Sequence, residues 1–267
     1  MPYFATRDKC KLFYRIHRID TAHPVVIFLN GTTQTTMYWG SHVPAFSRRC
    51  RLLCYDARCQ GQSETGTAPI SLPLHVSDLY HLSAHLGIGK AHLIGLSHGA
   101  RVALEFAVEF PQMVEKLVLC SISARTSDRC KAFVRSWLEI LNLSGLRAMA
   151  WAAVPTVFGN RFLKHHQKTL DKIVNAVVLR NSKKALAAQL EALLRYPQAD
   201  GIPADFNIPT LIVSGSEDPL VDADDIRQLA DRCKAHHAQL EGIGHSVPAE
   251  APELFQQMVL AFLKDNS

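Results

Sequence analysis

Six short segments, residues 25–29, 51–55, 92–95, 117–120, 210–213 and 238–240, are apolar and rich in β-branched or aromatic side chains. Longer runs separate several of them, and residues 71–86, 98–110, 223–234 and 252–263 carry apolar residues at three- and four-residue spacing. Short apolar strands alternating with amphipathic helices lead to a mostly parallel twisted sheet with helices on its faces, because each parallel crossover needs a long connection and each helix has one face to bury. Residues 3–16, with the polar turn Arg7-Asp8-Lys9, read as an antiparallel hairpin at the sheet edge. A chain of 267 residues can bury all of this in one domain.

The alternation stops between residues 125 and 200. There the text is helical throughout, and Trp137, Leu141, Trp151, Phe158, Phe162 and Leu190 supply more apolar surface than a solvated spacer needs. The expected division is a core of residues 1–124 and 201–267 carrying a helical lid, residues 125–200. This stretch also holds thirteen Lys or Arg against five acids, a local excess of +8 in a chain whose formal charge is +5, so the remainder carries −3. Such asymmetry suits an anionic partner, and equally a lid whose outer face is merely solvated. At 48% hydrophobic and 20% charged residues, the composition is that of a globular chain and not of a disordered or fibrous one. The seven cysteines are scattered, with no C-x-x-C spacing, and read as reduced packing residues. The first sixteen residues lack the apolar stretch of a secretory signal, and no segment approaches the ~20 apolar residues of a membrane span, so a cytoplasmic location is expected.

Directly after the strand at 92–95 comes Gly95-Leu96-Ser97-His98-Gly99, and then a run that starts Ala100-Arg101-Val102-Ala103-Leu104. G-x-S-x-G between a strand and a helix puts a serine on a sharp turn where a Cβ two positions to either side would collide. The turn also lifts the hydroxyl to a helix N-terminus, whose free N–H groups can meet a developing oxyanion. The bare five-letter pattern also occurs by chance in tight turns, but here the flanking strand and helix are both present.

A serine of this kind needs a base, and the base needs an orienting acid. The strand at 210–213 runs into Ser214-Gly215-Ser216-Glu217-Asp218-Pro219, a polar turn with Asp218 as the preferred acid and Glu217 and Asp222 as reserves. These carboxylates can equally cap a helix or face solvent. After the strand at 238–240, Gly242-Ile243-Gly244-His245-Ser246 puts His245 on a glycine-bearing loop. The pairs His165-His166 and His236-His237 lack metal-site spacing, and no metal or organic cofactor is called for.

The loop after 25–29 begins Asn30-Gly31-Thr32-Thr33 and continues to Tyr38-Trp39, and the next strand ends in Asp56-Ala57-Arg58-Cys59-Gln60-Gly61-Gln62-Ser63. With these four motifs in register, the chain resembles the α/β-hydrolase superfamily over nearly all residues outside the insertion. More narrowly, it is similar to the small esterases and lactonases that include 3-oxoadipate enol-lactonase and pimeloyl-carrier-protein methyl ester esterase. The resemblance implies an α/β-hydrolase fold, the order Ser97, Asp218, His245 for nucleophile, acid and base, and an oxyanion hole made by the backbone N–H groups of Thr32 and His98. Asn30 stands where the family usually has histidine, and Cys59-Gln60 where it commonly has Gly-His. Cys59 reads as a structural residue in a tight turn, with a reactive thiol as the alternative.

The expected chemistry is hydrolysis of a carboxylic ester or thioester of medium acyl length through an acyl-enzyme, with Tyr38, Trp39, Trp137 and Phe158 lining the acyl pocket; a core role for Trp39 is an equal alternative. In its sharpest form the substrate rides on an acidic acyl-carrier protein docked on the basic lid, as in biotin synthesis. An enol-lactonase, a C–C hydrolase or a cofactor-free haloperoxidase would share the same three residues, and a non-catalytic binding or signalling protein is the reading from another class.

Overall fold

The computed structural model describes residues 2–17 and 23–265. Eight strands form one sheet in the order β1-β2-β4-β3-β5-β6-β7-β8: β1 (Tyr3–Ala5), β2 (Lys11–His17), β3 (Val25–Leu29), β4 (Arg51–Tyr55), β5 (Ala91–Leu96), β6 (Val114–Cys120), β7 (Thr210–Gly215) and β8 (His236–Leu240). The edge hairpin β1–β2 is antiparallel and β2 joins β4 antiparallel, while every pairing from β4 to β8 is parallel. This is the mostly parallel sheet expected from the alternation of segments, in the α/β-hydrolase fold that the resemblance implied.

Side chains alternate across the strands, and both faces of the sheet are buried. On one face Ile27, Leu29, Leu53 and Leu93 pack against α2 (Leu72–His85), α3 (His98–Glu109) and α8 (Ala223–Cys233), through residues such as Val76, Leu79, Phe106 and Leu229. On the other, Val26, Phe28, Leu52 and Ile94 pack against α1 (Val43–Phe46) and α10 (Pro252–Lys264), through Phe46, Phe255 and Val259. Burial on two sides explains why the strands read as continuous apolar runs.

Between β6 and β7 the chain forms α4 (Asp128–Val157), α5 (Asn160–His166), α6 (Leu170–Arg180) and α7 (Lys183–Leu193). This layer has small cores of its own, one around Leu141, Met149 and Leu186 and one around Val154 and Val174. Gly145, at φ +83°, breaks α4 in a conformation that an L side chain rarely adopts. Among the described residues no helix is long and apolar enough to cross a membrane.

The sheet fixes where a site can form. Its order turns between β3 and β5, since the chain leaves β3 for β4 on one side and returns to β5 on the other. Loops at the carboxyl ends of the strands flanking such a switch open a crevice. Residues 30–34 follow β3 there and Ser97 follows β5.

Candidate active site

Ser97 sits between β5 and α3 at φ +52°, ψ −115°, a left-handed conformation unfavourable for a residue with a Cβ. Its N–H donates to the Cys120 carbonyl (2.9 Å) and its carbonyl accepts from Arg101 N–H (2.9 Å), which anchors the bend on both sides. The flanking glycines are steric necessities: a Cβ on Gly95 would lie 2.5 Å from the backbone of Ala100, and one on Gly99 would lie 2.7 Å from the Asn30 carbonyl oxygen.

His245 arrives on the loop between β8 and the one-turn helix α9 (Val247–Glu250). Its Nδ1 lies 2.7 Å from Asp218 Oδ2, with both residues buried, while Asp218 Oδ1 accepts from Leu220 N–H (2.9 Å). The two reserve carboxylates are occupied elsewhere. Glu217 accepts from Asn160 N–H (2.6 Å) at the start of α5, and Asp222 caps α8 through Asp224 and Asp225 N–H. Of the three acids, Asp218 is the one against the imidazole.

The histidine loop is held by contacts that the sequence did not suggest. The Val157 carbonyl at the end of α4 accepts from both His245 N–H (3.0 Å) and Ser246 N–H (3.1 Å). Glu250 gathers three more donors, the N–H groups of Gly159 (2.8 Å), Gly244 (3.1 Å) and Ser246 (3.2 Å). Ser121 Oγ donates to the His245 carbonyl (2.6 Å). No capping box marks Glu250, since Ser246 lies four residues before it and that pattern needs three.

Thr32 and His98 line the same cavity as Ser97 and His245. As the first residue of α3, His98 has a backbone N–H with no intrahelical acceptor. Its imidazole points into the protein, where Nε2 meets Tyr196 Oη (3.1 Å) and burial pushes its pKa down to about 4, so the ring is neutral. The two residues that depart from the family pattern, Asn30 after β3 and Gln60 after β4, support one another. Asn30 Nδ2 donates to the Tyr55 carbonyl (2.8 Å) and lies 3.3 Å from Gln60 Oε1, and Gln60 Nε2 donates to the Gly31 carbonyl (2.8 Å). Asn30 and Gln60 thus clamp the residue before Thr32 without a histidine at either position.

Cys59 is buried at φ +69°, the conformation that makes glycine common in this turn, and burial raises its thiol pKa. A raised thiol is the reverse of a reactive thiolate, which leaves the structural reading. Trp39, expected as a pocket residue or a core residue, is absent from the lining of the cavities around Ser97. It is fully buried, stacked on Phe28 at 4.6 Å between ring centroids, and its Nε1 donates to Asn30 Oδ1 (2.9 Å); an indole whose N–H finds a core partner belongs to the core.

Tyr38 and Phe158 line a cavity of about 280 Å³ between the loop after β3 and α4–α6, walled by Ala150, Val154, Ile173 and Val177 with Arg180 among its lining. Trp137 lines the cavity of about 120 Å³ that holds Ser97 and His245. A further space of about 80 Å³ is bordered by Ser97 and His245 and shares Gln34, Met149 and Val157 with the cavity of about 280 Å³, linking the two.

A mostly parallel sheet with a glycine-flanked serine at its switch point, faced by a histidine–aspartate pair, defines the α/β-hydrolase class. The alpha/beta hydrolase fold model matches residues 24–252, and the chain belongs to that family. It is 24% identical to 3-oxoadipate enol-lactonase 2 of Acinetobacter baylyi over 244 residues (90% of this chain, 89% of that protein). It is 26% identical to a putative carbamate hydrolase RutD of Caulobacter sp. over 262 residues, covering 96% and 97%. Among solved structures, the enol-lactonase of Burkholderia xenovorans superposes with a TM-score of 0.87 at 27% identity, over 99% of this chain and 100% of that one.

Proposed function

We propose that this chain is a serine hydrolase that cleaves carboxylic esters or lactones through an acyl-enzyme. The observation that carries the reading is the buried His245–Asp218 pair, at 2.7 Å, whose imidazole lines one cavity with the strained Ser97. His245 takes the proton of Ser97 Oγ as that oxygen attacks the carbonyl carbon. The Thr32 and His98 N–H groups stabilise the oxyanion, each donor being worth ~3 kcal/mol in such sites. Collapse of the tetrahedral intermediate expels the alkoxide or enolate, which receives the proton from His245. Water, deprotonated by the same imidazole, then releases the acid and restores Ser97. Asp218 holds Nδ1 protonated and stabilises the imidazolium.

The apolar cavity supports an aliphatic acyl arm of moderate length, and the similarity to an enol-lactonase supports a cyclic ester equally well. The more specific form, an ester carried by an acidic acyl-carrier protein, draws on the +8 excess of residues 125–200. A salt-sensitive complex in a binding titration would favour that form, and the absence of any complex would remove it.

The test is a panel of 4-nitrophenyl esters assayed with wild type and Ser97→Ala, with mass spectrometry to locate a trapped acyl group. Hydrolysis that depends on Ser97, with an adduct on the peptide carrying it, is expected. Equal rates in the two proteins would end the reading.

A further inference from the structure

One turn of α3 beyond Ser97, the cavity that holds the nucleophile is also lined by Arg101. The side chain is 12% exposed, yet its guanidinium makes no hydrogen bond among the described residues, and Nε and Nη2 are buried without a partner. Its nearest anion is Glu105 Oε2, 3.5 Å from Nη2, an i,i+4 neighbour outside hydrogen-bond geometry. Burial lowers the Arg101 pKa from its ordinary value, the mark of a cation that has lost water without gaining a matching partner. A buried guanidinium left this way is costly, and proteins rarely keep one unless something completes it.

The rest of that cavity is consistent with an anion. Lys131 is a second cation on its wall, paired with the fully exposed Asp128 at 3.3 Å; Thr126, Ser123 and Tyr196 add hydroxyl groups, and among the described residues no carboxylate lines the cavity, Asp218 lying behind His245. The cavity of about 280 Å³, joined to this one through the space beside Ser97, is walled mostly by aliphatic and aromatic side chains, with Arg180 as the charged residue among its described lining. The site therefore has two ends, one of about 120 Å³ where Arg101 and Lys131 stand among apolar side chains and hydroxyl groups, and one of about 280 Å³ with mostly apolar walls.

Resting on the ester-hydrolase reading of this site, we propose that Arg101 is a specificity residue, and that the preferred substrate is an ester or lactone bearing a carboxylate held by Arg101 in the small cavity. The planar guanidinium matches the two oxygens of a carboxylate. Lys131 is 37% exposed and already paired with Asp128, which leaves Arg101 to balance the single charge of a carboxylate and not the two charges of a phosphate dianion.

Binding tests this without relying on turnover. Calorimetry on Ser97→Ala would compare monomethyl adipate with methyl 6-methylheptanoate, in which an isopropyl group replaces the carboxylate. The charged ester should bind about tenfold or more tightly, the range for a hydrogen-bonded charge. Adding Arg101→Gln should bring the ratio close to one, and Arg101→Lys should keep part of it, because a point charge lacks the fork. Thermal melting separates this from a structural role: removing an uncompensated buried cation should leave Tm level or raise it, whereas a structural arginine would lower it. Equal affinity for the two esters, no measurable binding of the charged one, or a preference that survives Arg101→Gln would each overturn the proposal. If Ser97→Ala still hydrolyses either ester, the catalytic reading fails while the binding ratio still judges the subsite.

Discussion

Replacing Gly99 by alanine tests whether the serine turn and the oxyanion loop form one mechanical unit. The new methyl would lie inside van der Waals contact of the Leu29 carbonyl, with Leu29 C at 2.5 Å and Asn30 O at 2.7 Å. Ordinary carbon–carbon contact is ~3.5–4 Å, so about 1 Å must be found by moving backbone that Asn30 and Gln60 hold in place. Overpacking of this kind costs typically 1–3 kcal/mol, and clashing with main chain instead of a yielding side chain puts Gly99→Ala near 3 kcal/mol. For a domain of this size that is a Tm fall of about 6 °C or more. The displaced segment leads directly into Gly31 and Thr32, so the oxyanion donor should shift as well and kcat should drop about 10²-fold or more. Differential scanning fluorimetry and initial rates on one 4-nitrophenyl ester measure both effects. A variant with wild-type Tm and wild-type kcat would refute the argument, and one with lowered Tm but normal kcat would show that Thr32 is not coupled to the turn.

Asp218→Asn preserves the oxygen that accepts from Leu220 but replaces the one facing His245, so the fold should persist while kcat falls by about 10⁴, measurable by steady-state kinetics beside a circular dichroism control. Glu250→Ala strands three backbone donors around the histidine loop and should lower stability by about 3 kcal/mol, read by urea denaturation, with kcat falling because the loop carries the base. Asp8 is held well below the usual carboxylate range by its hydrogen bond to the buried Arg58. A depressed folded pKa gives stability that is complete above the unfolded value near 4 and is lost as pH falls below it, so Tm of wild type should decline steeply under pH ~4. Asp8→Asn should start about 1–2 kcal/mol lower and show a flatter acid limb, since Arg58 retains Asp78.

The sheet and the serine turn were legible because each rests on local pattern. Apolar runs of strand length, turn residues at fixed offsets and Gly95 and Gly99 around Ser97 all express constraints within a few residues of one another. Trp39 shows where such reading stops. An aromatic beside the oxyanion loop fits a pocket wall as well as a core, and only the tertiary pairing of its N–H with Asn30 decides. Arg101 was hidden for the opposite reason. Arginine is a good helix former in a helical run, and nothing local says that its partners are missing. The choice among Glu217, Asp218 and Asp222 likewise needed the third dimension, since the capping and loop contacts that occupy two of them come from α5 and α8.

The helices between β6 and β7 also do more than shape a cavity. Val157 accepts both amides at 245 and 246, Gly159 shares the Glu250 carboxylate with Gly244, and Gly159 and Gly244 pack backbone to backbone so closely that a Cβ on Gly244 would lie 2.5 Å from Gly159 N. The base of the proposed mechanism is thus positioned from the end of α4 as well as from the sheet. Val154 and Phe158, which would border the acyl arm of the proposed substrate, lie within a few positions of residues that hold the imidazole. Specificity and catalysis therefore share one support, and a change in the cavity that moves residues 157–159 must alter the orientation of His245 together with the substrate it admits.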